Sequence, residues 1–354
     1  MKAPYSPGED PRIRNPQRMQ KARGLLRQPA MSKRTQRVRF CLAERVCLAV
    51  LLICLISDCL GTLTMASPLS SSDQTQAADL QEVKTLARQQ RWSEAATQVE
   101  ALLKQYPDDS QLFYWRGVMR FQMKDNIAAI MAFRSAERLG LNTAALHKSL
   151  GLACWRIHQY GLFERQMERV IQLNPLDYEP YYDLGRHYQS IRDDCTHAED
   201  LLQKAIQLKP DDPKIIFSRG VCQEMLGHRQ DAMSSYVEAM HWVETKHEKY
   251  SWPFQEMARL LLGQDPQQAL KLAQRAVELE PELDAAHQIL AKVEDALGKY
   301  PEAIAELLTV ARLDPSNPSP HYSLFVLYKK TNDPEAAQAQ LKQFDELNTL
   351  YAQR

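Results

Sequence analysis

Between residues 77 and 350 the apolar positions recur three and four apart, the period of a helix with one buried stripe. Within that pattern a smaller phrase returns: a small residue, a large apolar one four later, a small one three after that, then proline. Ala198, Leu202, Ala205 and Pro210 spell it out, as do Ala303, Leu307, Val310 and Pro315. In "AQRAVELEPELDAAHQ", Ala273 and Ala276 are the small residues, Pro281 closes the phrase and Asp284 opens the next. The first position of each phrase falls at 95, 129, 163, 198, 232, 269, 303 and 337, in steps of 34, 34, 35, 34, 37, 34 and 34; Phe163 alone breaks the small-residue rule. A second series runs ahead of it, with Gly117, Gly151, Gly185 and Gly220 spaced 34, 34 and 35 apart, and Ala291 and Phe325 holding the place later.

Each unit reads as two antiparallel helices. A small side chain at the crossing lets two helix axes come close, and the proline cannot continue the second helix. Asp or Asn beside the proline ("YPDD", "NPLD", "KPDD", "DPSN") suits turns and N-caps. The prediction is an all-α chain of eight helix pairs starting near 76, 110, 144, 178, 213, 250, 284 and 318. One pair cannot bury its own stripe, so the pairs stack into a solenoid.

The units resemble the tetratricopeptide repeat (TPR) family, whose pattern is W-x2-L-G-x2-Y, then A-x3-F, then P, on a period of about 34 residues. The copy nearest to it is "YYDLGRHY…AEDLLQKAIQLKP", Tyr181 to Pro210. The resemblance implies a right-handed superhelix whose concave groove is lined by the first helices. It also implies that the fifth residue of each copy faces that groove: Leu80, Tyr114, Lys148, Tyr182, Phe217, Phe254, Gln288 and Tyr322. Five of these eight are aromatic, a ladder suited to an extended peptide or a partner helix. Arg186 lies on the same face, with Phe121, Trp155 and Gln189 one turn further. The family's carboxylate clamp pairs lysine at the fifth position with asparagine at the ninth; here Lys148 is followed by Leu152, so apolar peptide recognition is expected instead.

Charge divides the chain. Residues 1–46 hold 12 Lys/Arg against 3 Asp/Glu, whereas residues 67–354 hold 32 against 40. The acidic body argues against nucleic acid, whose phosphates need a basic face. Basic residues from Lys33 to Arg39, an apolar run from Val46 to Ile56 and small residues at Thr64 to Ala66 read as a secretory signal, with Met31 as a second candidate start. Residues 1–66 are thus expected to be leader and signal, 67–76 a polar linker and 77–350 the solenoid. The alternative is an uncleaved anchor at about 47–65, which would hold the chain at the inner membrane; cleavage would make it periplasmic or secreted.

Of 7 cysteines, Cys154, Cys195 and Cys222 lie beyond the leader, and a Cys195–Cys222 bridge is the candidate disulfide. "HYQSIRDDCTHAED" gathers His187, Asp193, Asp194, Cys195 and His197 without a regular ligand spacing, so no metal and no cofactor is expected. No G-x-S-x-G, phosphate loop or HExxH occurs. The expectation is an exported, non-enzymatic interaction module that grips a peptide or partner protein. The alternatives are a binder or processor of a non-protein envelope ligand such as a glycan, or a self-associating scaffold.

Overall fold

The structure, a computed structural model, describes residues 71–352. The expected leader, signal and apolar run lie outside them. Among the described residues 16 α-helices follow one another: α1 (Ser71–Arg88), α2 (Trp92–Gln105), α3 (Ser110–Gln122), α4 (Asn126–Arg138), α5 (Ala144–Arg156), α6 (Tyr160–Leu173), α7 (Glu179–His187), α8 (Cys195–Leu208), α9 (Pro213–Met225), α10 (Arg229–Lys246), α11 (Trp252–Leu261), α12 (Pro266–Leu279), α13 (Asp284–Ala296), α14 (Tyr300–Leu313), α15 (Ser319–Lys330) and α16 (Pro334–Ala352). Each packs on the next, and the pairs stack as a solenoid. The first helix begins at Ser71, inside the stretch expected to be linker.

The recurring phrase maps onto these boundaries. Ala129, Ala136, Ala198, Ala205, Ala232, Ala239, Ala273 and Ala276 are fully buried at helix crossings. Helices α2, α6, α8, α12 and α14 end two residues before Pro107, Pro175, Pro210, Pro281 and Pro315. The acidic and amide residues of the turns cap the helix that comes next: Asp109 accepts from the Gln111 and Leu112 N–H groups, Asp177 from Glu179, Asp212 from Lys214 and Asn317 from Ser319. Each satisfies a backbone donor that a helix start leaves open.

The turn inside seven of the eight pairs shares a signature, the α11–α12 turn being the exception. Gln90, Lys124, His158, Asp193, Gly227, Gly298 and Asn332 all have positive φ, between 56° and 83°. This left-handed residue follows the position of the glycine series by seven in the copies of Gly117, Gly151, Gly220, Ala291 and Phe325, but by eight after Gly185. The extra residue sits in a π-helical turn, Tyr188–Arg192, that follows α7. There the Asp194 N–H reaches back six residues to the Tyr188 carbonyl, where Asp125, Gln159 and His228 reach back five. A single inserted residue has widened one helical turn and left both neighbouring helices in phase.

The 37-residue step is absorbed elsewhere. Helix α10 runs to Lys246, taking up the extra residues, and His247 ends it in the left-handed region. Ser251 then anchors the return: its N–H and hydroxyl both donate to Glu280 Oε2, at 2.8 and 2.6 Å.

Candidate protein-binding face

The first helix of every pair uses one side to pack on the second helices. On α3 that side carries Leu112, Trp115, Gly117 and Met119, all buried. The adjoining edge of each first helix meets the next first helix through side-chain contacts. Lys148 on α5 forms an ion pair with Glu179 on α7. The Arg156 guanidinium lies 3.8 Å over the Phe121 ring, and its Nη1 donates to the Phe121 carbonyl at 3.2 Å. Gln189 Nε2 donates to the Ser218 carbonyl at 3.2 Å. Arg259 pairs with Glu224 and, at 2.7 Å, with Glu256. Lys330 reaches Asp295 at 2.5 Å. Three of these contacts join residues 35 apart, 121 to 156, 224 to 259 and 295 to 330, one rung built with different chemistry. They run the first helices into one continuous face.

Of the residues expected there, Tyr114, Trp155 and Tyr182 are half-buried on three successive first helices. Tyr114 stands edge-on to Trp115 at 5.7 Å and beside Phe133 at 5.9 Å, and Trp155 lies 6.4 Å from Tyr160. The Arg186 guanidinium stands 5.6 Å from the Tyr182 ring centre. Burial pushes the Tyr182 hydroxyl up from its ordinary value, and does the same to the Asp183 carboxyl against the pull of Lys148 and Arg186. Tyr322, 50% exposed, packs on Phe325 and Phe344.

The open ladder is interrupted in the middle. Phe217 is 5% exposed and Phe254 4%, so both are packing residues. The link before α11 brings Tyr250 edge-on to Phe217 at 5.8 Å, while Tyr236 of α10 meets it at 5.6 Å. Phe121 is likewise buried, under Arg156. Lys148, expected to offer a charge to a ligand, is engaged by Glu179. Sequence reasoning missed the rungs, although Glu224 with Arg259 and Asp295 with Lys330 announce themselves as opposite charges 35 apart.

Cys195 and Cys222 do meet across the join of α8 and α9, but as free thiols, and Cys154 is also free. Among the described residues no group of three His, Cys, Asp or Glu side chains is placed to hold a metal, and no described helix is long and apolar enough to cross a membrane.

Family models for the tetratricopeptide repeat match residues 80–142 and 291–332. With the helix pairs, the buried alanines and the prolines in register, this decides the family. The chain is a tetratricopeptide repeat protein. Its TPR solenoid is similar to the C-terminal part of a TPR repeat-containing protein from Cytophaga hutchinsonii, at TM-score 0.53 and 17% identity over 68% of this chain and 97% of that one. It is also similar to yeast Tom70, at TM-score 0.52 and 17% identity over 81% of this chain and 62% of that one. Among curated relatives, the human Superkiller complex protein 3 is 23% identical over 250 residues; the match covers 69% of this chain and 16% of that relative's length. TPR arrays are protein-interaction modules that bind peptides and proteins, and the family is typically non-enzymatic.

Proposed function

We propose that this TPR protein binds an extended segment of a partner protein along its first-helix face, between the second and fourth repeats. The observation that supports it is the set of half-buried rings, Tyr114, Trp155 and Tyr182, on three neighbouring helices that the rungs tie into one surface. Aromatic side chains held by packing lose little freedom on binding and dominate interface energetics. Arg186 beside Tyr182 adds a cation for acidic or carbonyl groups of the bound segment. The front of the chain supports export, by cleavage of the signal or by retention as an anchor, so the partner would be an envelope or secreted protein.

The test is a photo-crosslinking residue at position 114 in the full chain, with a second probe at Met131 on α4, an exposed residue of a second helix. A partner trapped from 114, and lost with Trp155→Ala or Tyr182→Ala, is the expected result. Capture only from 131 would move the working surface to the second helices.

A further inference from the structure

Three sulfur atoms meet where the fourth repeat joins the fifth. Cys195 is the first residue of α8; Cys222 and Met225 stand three apart on α9 and so share a helix face. Cys222 lies beside Cys195, and Cys195 Sγ donates to Met225 Sδ at 3.4 Å. The exposures are graded: Cys222 is 0% exposed, Cys195 5% and Met225 51%. Two inner thiols are therefore reached past one outer thioether.

We propose that Cys195, Cys222 and Met225 form a binding site for a soft monovalent metal ion, Cu(I), with Met225 as the entry ligand. Thiolate and thioether donors select soft ions over the hard cations that prefer oxygen. Metal–sulfur bonds of about 2.3 Å place three sulfurs of a trigonal plane about 4 Å apart, so the Cys195–Met225 contact, at 3.4 Å, needs to open only slightly. Met225 can supply that movement, because its three rotatable bonds adapt cheaply. On binding, the two S–H bonds break and their protons pass to water. Each thiolate forms a bond to copper, and the thioether donates a lone pair. No electron moves, since the ion arrives as Cu(I). Burial holds both thiols above their ordinary value, so the ion itself has to displace their protons. Asp193, Asp194 and Glu199 surround Cys195 and attract the incoming cation.

A bridge between the same two thiols would be the competing chemistry, and Met225 distinguishes the two because a disulfide has no use for it. The experiment uses the full chain with Cys41, Cys47, Cys54 and Cys59 changed to serine, kept reduced and free of oxygen, and titrated against the Cu(I)–bicinchoninate complex. The expected result is withdrawal of one Cu(I) per chain, with thiolate-to-copper absorbance in the near ultraviolet. Cys195→Ser and Cys222→Ser abolish it, Cys154→Ser leaves it unchanged, and Met225→Leu weakens it by roughly tenfold or more. Met225→Leu is a volume-conserving change at a half-exposed position, and thermal melts confirm that it folds. Failure of the reduced protein to take copper from the complex overturns the proposal. So does uptake that survives Cys222→Ser, or uptake indifferent to Met225→Leu.

Discussion

The ring of Phe133 fills the space a side chain at Gly117 would need: a Cβ there would stand 2.4 Å from Phe133 Cδ1. The same relationship holds between Gly151 and Met167, Gly185 and Leu202, and Gly220 and Tyr236, so in these four repeats one missing methyl sets how closely the pair closes. Gly117→Ala must push an aromatic ring out of a packed crossing, at a cost of about 1–3 kcal/mol. Gly161→Ala is the control, since nothing lies within 4 Å of that position; there alanine gains up to about 1 kcal/mol of helix propensity. Urea denaturation of both variants checks the pair. Equal effects would remove the steric account.

Lys124 occupies the left-handed region, with φ of 66°, at the turn between α3 and α4. A side chain there costs roughly 1–2 kcal/mol that glycine avoids. Part of the gain is offset by the greater freedom of glycine in the unfolded chain. Lys124→Gly should stabilise by about 0.5–1 kcal/mol, and Gly227→Ala, at φ of 83°, should do the reverse. Differential melts of the two single variants would show opposite signs.

Glu294 is 6% exposed, and its Oε2 has no hydrogen-bond partner. Burial, then the charges of Glu306 and Glu302, raise its carboxyl from 4.5 to about 7, while Lys299 opposes them. A folded-state value above the unfolded one means that the fold prefers the protonated acid. The fold carries no penalty below the unfolded value, loses stability as pH rises between 4.5 and about 7, and bears the full cost above that. Glu294→Gln should flatten that fall and raise stability at pH 8 by on the order of 1–3 kcal/mol. Unfolding free energies at pH 5 and pH 8, for both proteins, decide it; an unchanged pH dependence would sink the assignment.

Glu280 receives both donors of the fully buried Ser251, and Ser251 Oγ accepts in turn from Gln255 Nε2 at 2.8 Å. This carboxylate fixes the return from the long helix α10 into α11. Glu280→Ala leaves buried donors unmet and should cost about 1–3 kcal/mol. Hydrogen exchange should quicken at the N-terminus of α11 in that variant, while α3 and α5 keep their protection.

Much of the scaffold was legible in residue types because the packing rules act on size and shape. Alanine at a crossing and proline beyond a helix can be read without coordinates. The left-handed turn was not legible, since Gln90, Lys124 and His158 carry no sign of it and only Gly227 and Gly298 do. The face was legible by position but not by exposure. A fifth residue such as Phe217 is assigned to an edge of its own helix, whereas its burial depends on Tyr250, delivered by the turn between α10 and α11. The rungs were hidden for a different reason: each is a pair of residues 35 apart, visible only when two copies are compared side by side.

The widened turn at Tyr188–Arg192 marks where this array can lengthen without losing its place. A residue added inside α7 or α8 would rotate everything beyond it by about 100°, swinging a binding edge into the core. Added at the widened turn, it leaves Gly185 against Leu202. The array thus has a tolerated splice point in its fourth copy. Insertions there should change local shape and chemistry while the neighbouring copies continue to be read in the same frame.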